Sequence, residues 1–221
     1  MMALMQQHTI VKLSDEEHQK RRLVHRSNPM HNSTEIRNPV TGERIVFDET
    51  VSDDERLIWN EVKPAHIEPP PVHYHPDTEE HFEVNEGQLL VEIEGKKRRV
   101  EAGEEIGIPP ATPHVTYTET KSARFRREVT PPGQWREFLT AQFAAVHAVG
   151  ELSGVTGLLQ TVLLVRAYPD VVVPAQPPRP VQRALFPVLA VVARAFELKP
   201  HYRYPRHDAS AGEVRSSETN S

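Results

Sequence analysis

The chain contains no cysteine. Disulfides, thiolate metal ligands and a cysteine nucleophile are thereby excluded, and a reducing compartment is the natural expectation. Long apolar runs are missing as well. The most hydrophobic segments lie toward the C-terminus and are broken by Arg166, Arg183 and Arg194 before they reach the roughly 18 residues a membrane span needs. No strong excess of charge is present either: the formal net charge is −5, so nothing global draws the chain to nucleic acid or to an anionic membrane. The opening MMALMQQHTIVKL lacks a basic n-region, a long apolar core and a small-residue cleavage site, so a cytoplasmic protein is expected.

What the chain has in quantity is punctuation, with 20 prolines and 10 glycines in 221 residues. Residues 1–32 are polar, carry the mixed run SDEEHQKRRLVHR, and read as a flexible N-terminal arm whose His8, His18, His25 and His31 face solvent. From about Thr34 short strands alternate with turns: EIRN and RIVFDE around PVTG, RLIWNEVKP, VHYH, HFEVNEG, QLLVEIEG, KKRRVEAG, EEIGIPP, HVTYTET and ARFRREVT. Eight or more strands of this length, broken by Gly or Pro, predict an antiparallel sandwich or barrel over 33–131. A hairpin is expected around Glu94-Gly95. After TPPGQ the period changes to that of an amphipathic helix, with Trp135, Phe138, Leu139, Gln142, Phe143 and Val146 on one side. Further helices are expected over about 155–168, closed by Pro169, and about 181–198, where Pro187 implies a later start or a kink. Together they form a C-terminal helical extension over 132–200. From His201 to Ser221 the chain is polar and reads as a disordered tail.

The chemistry concentrates in HYHPDTEEH, His73 to His81. In a strand, residues i and i+2 share a face, so His73 and His75 project together. Pro76-Asp77-Thr78 reads as a turn into a returning strand, on which Glu79 and Glu80 face opposite ways. Phe82 and Val84 are natural core residues and share a face with Glu80; His81 and Glu83 share a face with Glu79. If the Phe82 face is the core face, Glu80 points inward and Glu79 outward. Downstream, His114 opens a strand after a Pro-rich turn, with Thr116 and Thr118 on its face. Three neutral imidazoles and one carboxylate suit a single divalent Fe, Mn, Co, Ni, Cu or Zn. A six-coordinate ion would then keep two positions for water, substrate or dioxygen.

Two segments carry a resemblance. HYHPDTEEHFEVNEG (73–87) resembles the first motif of the cupin superfamily: HxH, three or four residues, E, six residues, G. That spacing selects Glu80, with HFEVNE before Gly87. GEEIGIPPATPHVTYT (103–118) is similar to the second motif, G, five residues, P-x-G, two residues, H, three residues, N. Gly103, Pro109 and His114 match; Ala111 stands in place of the turn glycine and Thr118 in place of the terminal asparagine. The resemblance covers roughly 34–130. It implies a mainly β fold, a double-stranded β-helix (jelly-roll barrel) with a metal inside one end, followed here by the helical extension. The implied ligands are His73, His75, Glu80 and His114.

Other residues divide by their phase and neighbours. His81 is expected outward and His66 in a loop. Phe82, Val91, Ile93 and Phe125 are expected in the barrel core; Phe82, Val91 and Phe125, with Thr116 and Thr118, are also candidates for a substrate pocket near the metal. Trp59 and Tyr117 fit either a pocket or an interface. KKRR at 96–99 lies beside a hairpin turn among Glu92, Glu94 and Glu101, which makes a solvated strand edge and not a nucleic-acid patch. The apolar helices favour packing within the chain or across a homodimer over docking on a membrane. The functional expectation is a metal-dependent enzyme acting on a small organic molecule, of dioxygenase (oxidoreductase), isomerase or decarboxylase type, with Glu80 also a candidate base. The alternative is a non-catalytic module that binds or senses a small molecule, associated with a partner or a membrane through its C-terminal helices.

Overall fold

Antiparallel pairing accounts for every strand contact in the computed structural model, which describes Ile10–Lys12 and residues 35–205. The strands are β1 (Ile10–Lys12), β2 (Glu35–Arg37), β3 (Arg44–Phe47), β4 (Leu57–Lys63), β5 (His73–Tyr74), β6 (Glu79–Ile93), β7 (Lys96–Glu101), β8 (Glu104–Ile108), β9 (His114–Tyr117), β10 (Ala123–Thr130) and β11 (Val173–Pro174). Three helices follow the barrel strands: α1 (Trp135–Val149), α2 (Gly154–Ala167) and α3 (Arg179–Ala195).

The barrel is organised by β6. Its first half pairs with β8 and β10 in one sheet, which continues through β4 to β3 and β2. Its second half pairs with β7 and β9 in the other sheet, which continues to β5 and β11. A break between two strands was expected at Gly87; instead one strand crosses there from sheet to sheet. The crossing needs glycine for two reasons. Gly87 has φ +77°, and a Cβ at this position would lie 1.9 Å from the carbonyl oxygen of Ser122. Inward residues of both halves, among them Phe82, Val84, Leu89 and Val91, meet Ile106 and Phe125 in the barrel core.

A second core lies between the outer strands and the helices. Phe47, Leu57, Trp59 and Val129 meet Trp135, Leu139 and Phe143 of α1, and Leu164 of α2. A third joins α2 to α3 through Leu159, Leu163, Phe186 and Ala190. The helix α3 begins at Arg179, with Pro180 in its first turn, and runs on through Pro187 to Ala195, so the later start is not observed. Its outward face leaves Val181, Leu185, Val188 and Val192 exposed. Among the described residues no helix is long and apolar enough to cross a membrane.

The structure adds contacts at the edges of the expected segments. Within the segment read as a flexible or loosely docked arm, Ile10–Lys12 pair with Glu104–Ile106 of β8, while His8, His18, His25 and His31 lie outside the described residues. The tail does not begin at His201: Tyr204 packs against the second core, its hydroxyl accepts from the Arg37 amide at 2.6 Å, and His201 meets the Tyr168 hydroxyl at 3.2 Å. Residues 206–221 lie outside the described residues. The helical extension also joins the barrel: β11, from the link between α2 and α3, pairs with β5.

The turn before His114 carries Ala111 at φ +57°, the left-handed region, where glycine would sit without strain. Gly87→Ala should therefore cost on the order of 2 kcal/mol or more through strain and clash. Ala111→Gly should stabilise by roughly 0.5 kcal/mol, the relief of strain exceeding the entropy cost of glycine in the unfolded chain. Urea unfolding of the two variants checks both signs.

Candidate metal centre

The extended backbone of β5 and the start of β9 lie side by side, with His73 directly opposite His114. His75 follows two residues after His73 and shares its face. On β6, Glu80 is wholly buried and Glu79 exposed, while His81 turns outward to Glu105, 3.5 Å away. The result is a group in which ligand atoms of His73, His75 and His114 all lie within 4.8 Å of one another. Glu80 Oε2 stands 2.6 Å from His114 Nε2 and 3.2 Å from His75 Nε2.

The hydrogen bonds at the far side of each ring define what faces this point. His73 Nδ1 meets the Pro71 carbonyl oxygen at 2.9 Å, His114 Nδ1 meets that of Thr112 at 2.8 Å, and His75 Nδ1 meets that of Val171. A carbonyl oxygen only accepts, so each Nδ1 carries a proton, and the Nε2 atoms of His75 and His114 are turned toward Glu80. His75 Nε2, His114 Nε2 and Glu80 Oε2 are buried and make no hydrogen bond of acceptable geometry, despite their short separations. Lone pairs converging on one another in a buried space call for a cation between them, and imidazole nitrogen with carboxylate oxygen is a donor set for a divalent transition metal. These residues fit such an ion.

Electrostatics keeps the donors in the required states. Burial, the largest influence on His73, together with the neighbouring His75 and His114, holds its pKa down to about 3, so the ring is neutral at ordinary pH. For Glu80 burial pushes upward, but the Arg127 guanidinium, then His75 and His114, outweigh it. The carboxyl is held well below the usual range and stays ionised.

Arg127 is the site residue that reading the sequence missed. Its Nε donates to Glu80 Oε1 at 2.9 Å and its Nη2 to the same oxygen, leaving Oε2 for the histidines. Its guanidinium packs among Trp59, Phe82 and Trp135, 5.1, 4.8 and 4.9 Å from their rings. The signal was present in ARFRREV, because Arg127 alternates in phase with Ala123, Phe125 and Val129, three core residues. Behind it runs a chain of ion pairs. Arg127 Nη1 lies 3.8 Å from Glu61, Glu61 lies 3.4 Å from Lys63, and Lys63 pairs with Glu43. Burial would lower the Lys63 pKa, but Glu43 and Glu61 raise it; burial would raise that of Glu43, but Lys63 lowers it. The chain holds three carboxylates and two cations, a net charge of −1, and one of its two carboxylate ends, Glu80, faces the histidines.

The remaining candidates are placed as follows. Val91 and Phe125 are fully buried in the barrel core, as is Phe82, which reaches the centre only through Arg127. Thr116 pairs with Val91 across β6 and β9. Thr118 spends its hydroxyl on the Pro64 carbonyl and accepts from the Ile67 amide at 3.3 Å, pinning a loop. Trp59 belongs to the core behind the centre, its Nε1 donating to Glu61 at 3.1 Å. Tyr117 is buried in β9 beneath Lys97, and His66 is exposed in a loop.

Arg127→Met leaves the Glu80 carboxylate buried without a cation. In metal-free protein at neutral pH it should cost about 3–5 kcal/mol. The loss should shrink on acidification, as Glu80 takes up a proton, and Arg127→Lys should restore only part of it. Urea unfolding in the presence of a chelator, repeated across the acid range, measures both.

Residues 60–125 match the family model of the cupin domain. No curated protein matches the chain. Among solved structures the chain is similar to the DMSP lyase DddQ from Ruegeria pomeroyi, with 25% identity over 35% of this chain and 39% of the lyase, at a TM-score of 0.33. It is also similar to KdgF from Halomonas sp. (18% identity, 47% of this chain and 89% of that one, TM-score 0.40). A cupin-like protein from Thermotoga maritima is similar at 18% identity, over 40% of this chain and 69% of that one, with a TM-score of 0.35. The chain thus spans well under two thirds of the lyase's length. With that family model covering the middle of the barrel, and both histidine-bearing segments folded into one antiparallel sheet system, residues 60–125 are identified as a cupin domain.

Proposed function

We propose that the protein holds one divalent transition metal through His73, His75, His114 and Glu80, and that this centre acts on a small organic molecule. The observation that carries the reading is the convergence of unpartnered, buried His75 Nε2, His114 Nε2 and Glu80 Oε2 on one point. The surplus negative charge of the ion-pair chain supports it, since a divalent cation offsets that charge where it faces the histidines. Bound there, such an ion supplies Lewis-acid polarisation of substrate oxygens, or dioxygen activation if it is iron. Dioxygenase, isomerase and decarboxylase types all remain within this chemistry.

The chain's own residues have separable roles. The three carbonyl acceptors fix the imidazole tautomers and ring directions. Arg127 keeps Glu80 ionised and grips one of its oxygens, so Glu80 serves as an anionic ligand and not as a base that swings free. Trp135 and Phe82 sheath the guanidinium and exclude water from the Glu80 side. That same grip favours a second reading, a module that binds or senses a small molecule without transforming it, because it removes one candidate base. Turnover separates the two: a binding module returns its ligand unchanged.

Protein produced with Fe, Mn, Co, Ni, Cu and Zn supplied should carry close to one transition-metal ion per chain by elemental analysis. The His73→Ala, His75→Ala double variant should carry almost none. Wild-type protein that stays metal-free, or a double variant that keeps its metal, sinks the proposal.

The exposed side of α3 supports a homodimer as the partner. Val181, Leu185, Val188 and Val192 recur at spacings of four and three, the seam on which a second helix packs. At 3.6 residues per turn Arg183 and Arg194 fall roughly opposite that seam, so no cation flanks it as an anionic lipid surface would require. Sedimentation at about 10 μM should show a dimer. The Leu185→Glu, Val188→Glu variant should be a monomer that retains its metal. A monomeric wild type rules this contact out.

A further inference from the structure

Two of the three histidines are oriented by their own strand approaches. His73 and His114 each bond the carbonyl two residues upstream, those of Pro71 and Thr112. His75 is different. Its Nδ1 acceptor is the carbonyl of Val171, 96 positions away, in the link between α2 and α3. Its ring rests against Trp135, the first residue of α1, with centroids 4.5 Å apart.

That link is a strap laid along the edge of the barrel. Val171, Val172 and Val173 are buried, β11 pairs with β5, and the Ala175 amide donates to the Val72 carbonyl at 2.9 Å. Its ends are anchored by helices. The amides of Val171 and Val172 bond the Tyr168 carbonyl just past α2, at 3.1 and 3.3 Å. Beyond the strap, the buried Gln182 of α3 donates through Nε2 to the carbonyls of Pro174 at 2.8 Å and Pro177 at 2.7 Å. Arg179 Nε donates at 3.0 Å to the hydroxyl of Tyr74, the residue between His73 and His75.

We infer that the strap, residues 168–177, is part of the centre: it positions His75, and through it the helical extension sets the metal affinity. This rests on the metal-centre reading above. Val171 acts as a positioning residue through its backbone carbonyl, and Gln182 holds the strap on which that carbonyl sits. Losing the partner that orients a ligating histidine typically weakens metal binding about 10- to 100-fold. Coupling of this kind is reciprocal, so a metal ion bound by His75 must in turn order the strap.

The experiment uses the full-length protein and Co2+, whose visible absorption reports its coordination. In wild type, Co2+ should slow backbone hydrogen exchange in peptides covering 168–178 by about 10- to 100-fold, the reciprocal of the expected affinity coupling. Gln182→Leu should bind Co2+ about 10- to 100-fold more weakly, with an altered absorption spectrum. Leu189→Ala, which loosens the α2–α3 core away from the strap, should keep wild-type affinity and spectrum. Wild type that binds Co2+ with unchanged exchange over 168–178 overturns the inference and leaves the centre standing. So does Gln182→Leu with wild-type affinity and spectrum, or Leu189→Ala that weakens binding as much. Should Gln182→Leu fail to fold, the wild-type exchange result decides alone. A wild type that binds no Co2+ overturns the centre and the inference together.

Discussion

A carboxylate with no exposed surface, Glu80, sets the terms for everything around it. Burying an ionised carboxyl is costly unless both oxygens are satisfied. Arg127 satisfies Oε1, while Oε2 is turned to the histidines and makes no hydrogen bond of its own. Arg127 is nearly buried in its turn, so it needs an aromatic enclosure and a second acid, Glu61. Glu61 leads on to Lys63 and Glu43. A line of alternating charges with one negative charge in excess thus runs from Glu43 to Glu80, where the imidazoles meet. Removing any interior member leaves a neighbour buried and unpaired, so the centre and the wall are one electrostatic unit.

Apolar packing ties the helical extension into the same unit. Trp135 touches Trp59, His75 and the Arg127 guanidinium at once. It is also the first residue of α1, whose Leu139 and Phe143 close the core between strands and helices. The strap between α2 and α3 then returns to the barrel edge and delivers the Val171 carbonyl to His75. A barrel that ended at Thr130 would lack both contacts on His75, the Val171 carbonyl and the Trp135 ring, and one wall of the Arg127 enclosure. That is a physical reason for the extension that needs no further partner.

The motif segments show how far local reasoning reaches. Strand alternation separates Glu80 from Glu79 and His81, because side-chain direction in a strand has a period of two residues and Phe82 and Val84 mark the inward phase. The helix boundaries follow from periodicity to within a few residues, with Trp135 opening α1. Arg127 is legible by the same alternation, yet a cation in phase with core residues says nothing by itself of the buried acid it will meet. Ala111, where the resembling motif has glycine, still takes the left-handed conformation, so the turn keeps its shape at the cost of strain.

The sequence by itself determined what depends on neighbours along the chain: the alternation of the strands, the phase of His73, His75 and Glu80, the turns, and the apolar stripes of the helices. It also narrowed the donor set, since with no cysteine present thiolate is excluded. Only the tertiary structure decided which oxygen of Glu80 is free, which carbonyl orients His75, and that one strand crosses between sheets at Gly87. These are contacts between residues 47 and 96 positions apart, or a close approach of two backbones. No periodicity encodes them, because they are fixed by how the packed layers meet and not by the order of residues within any one element.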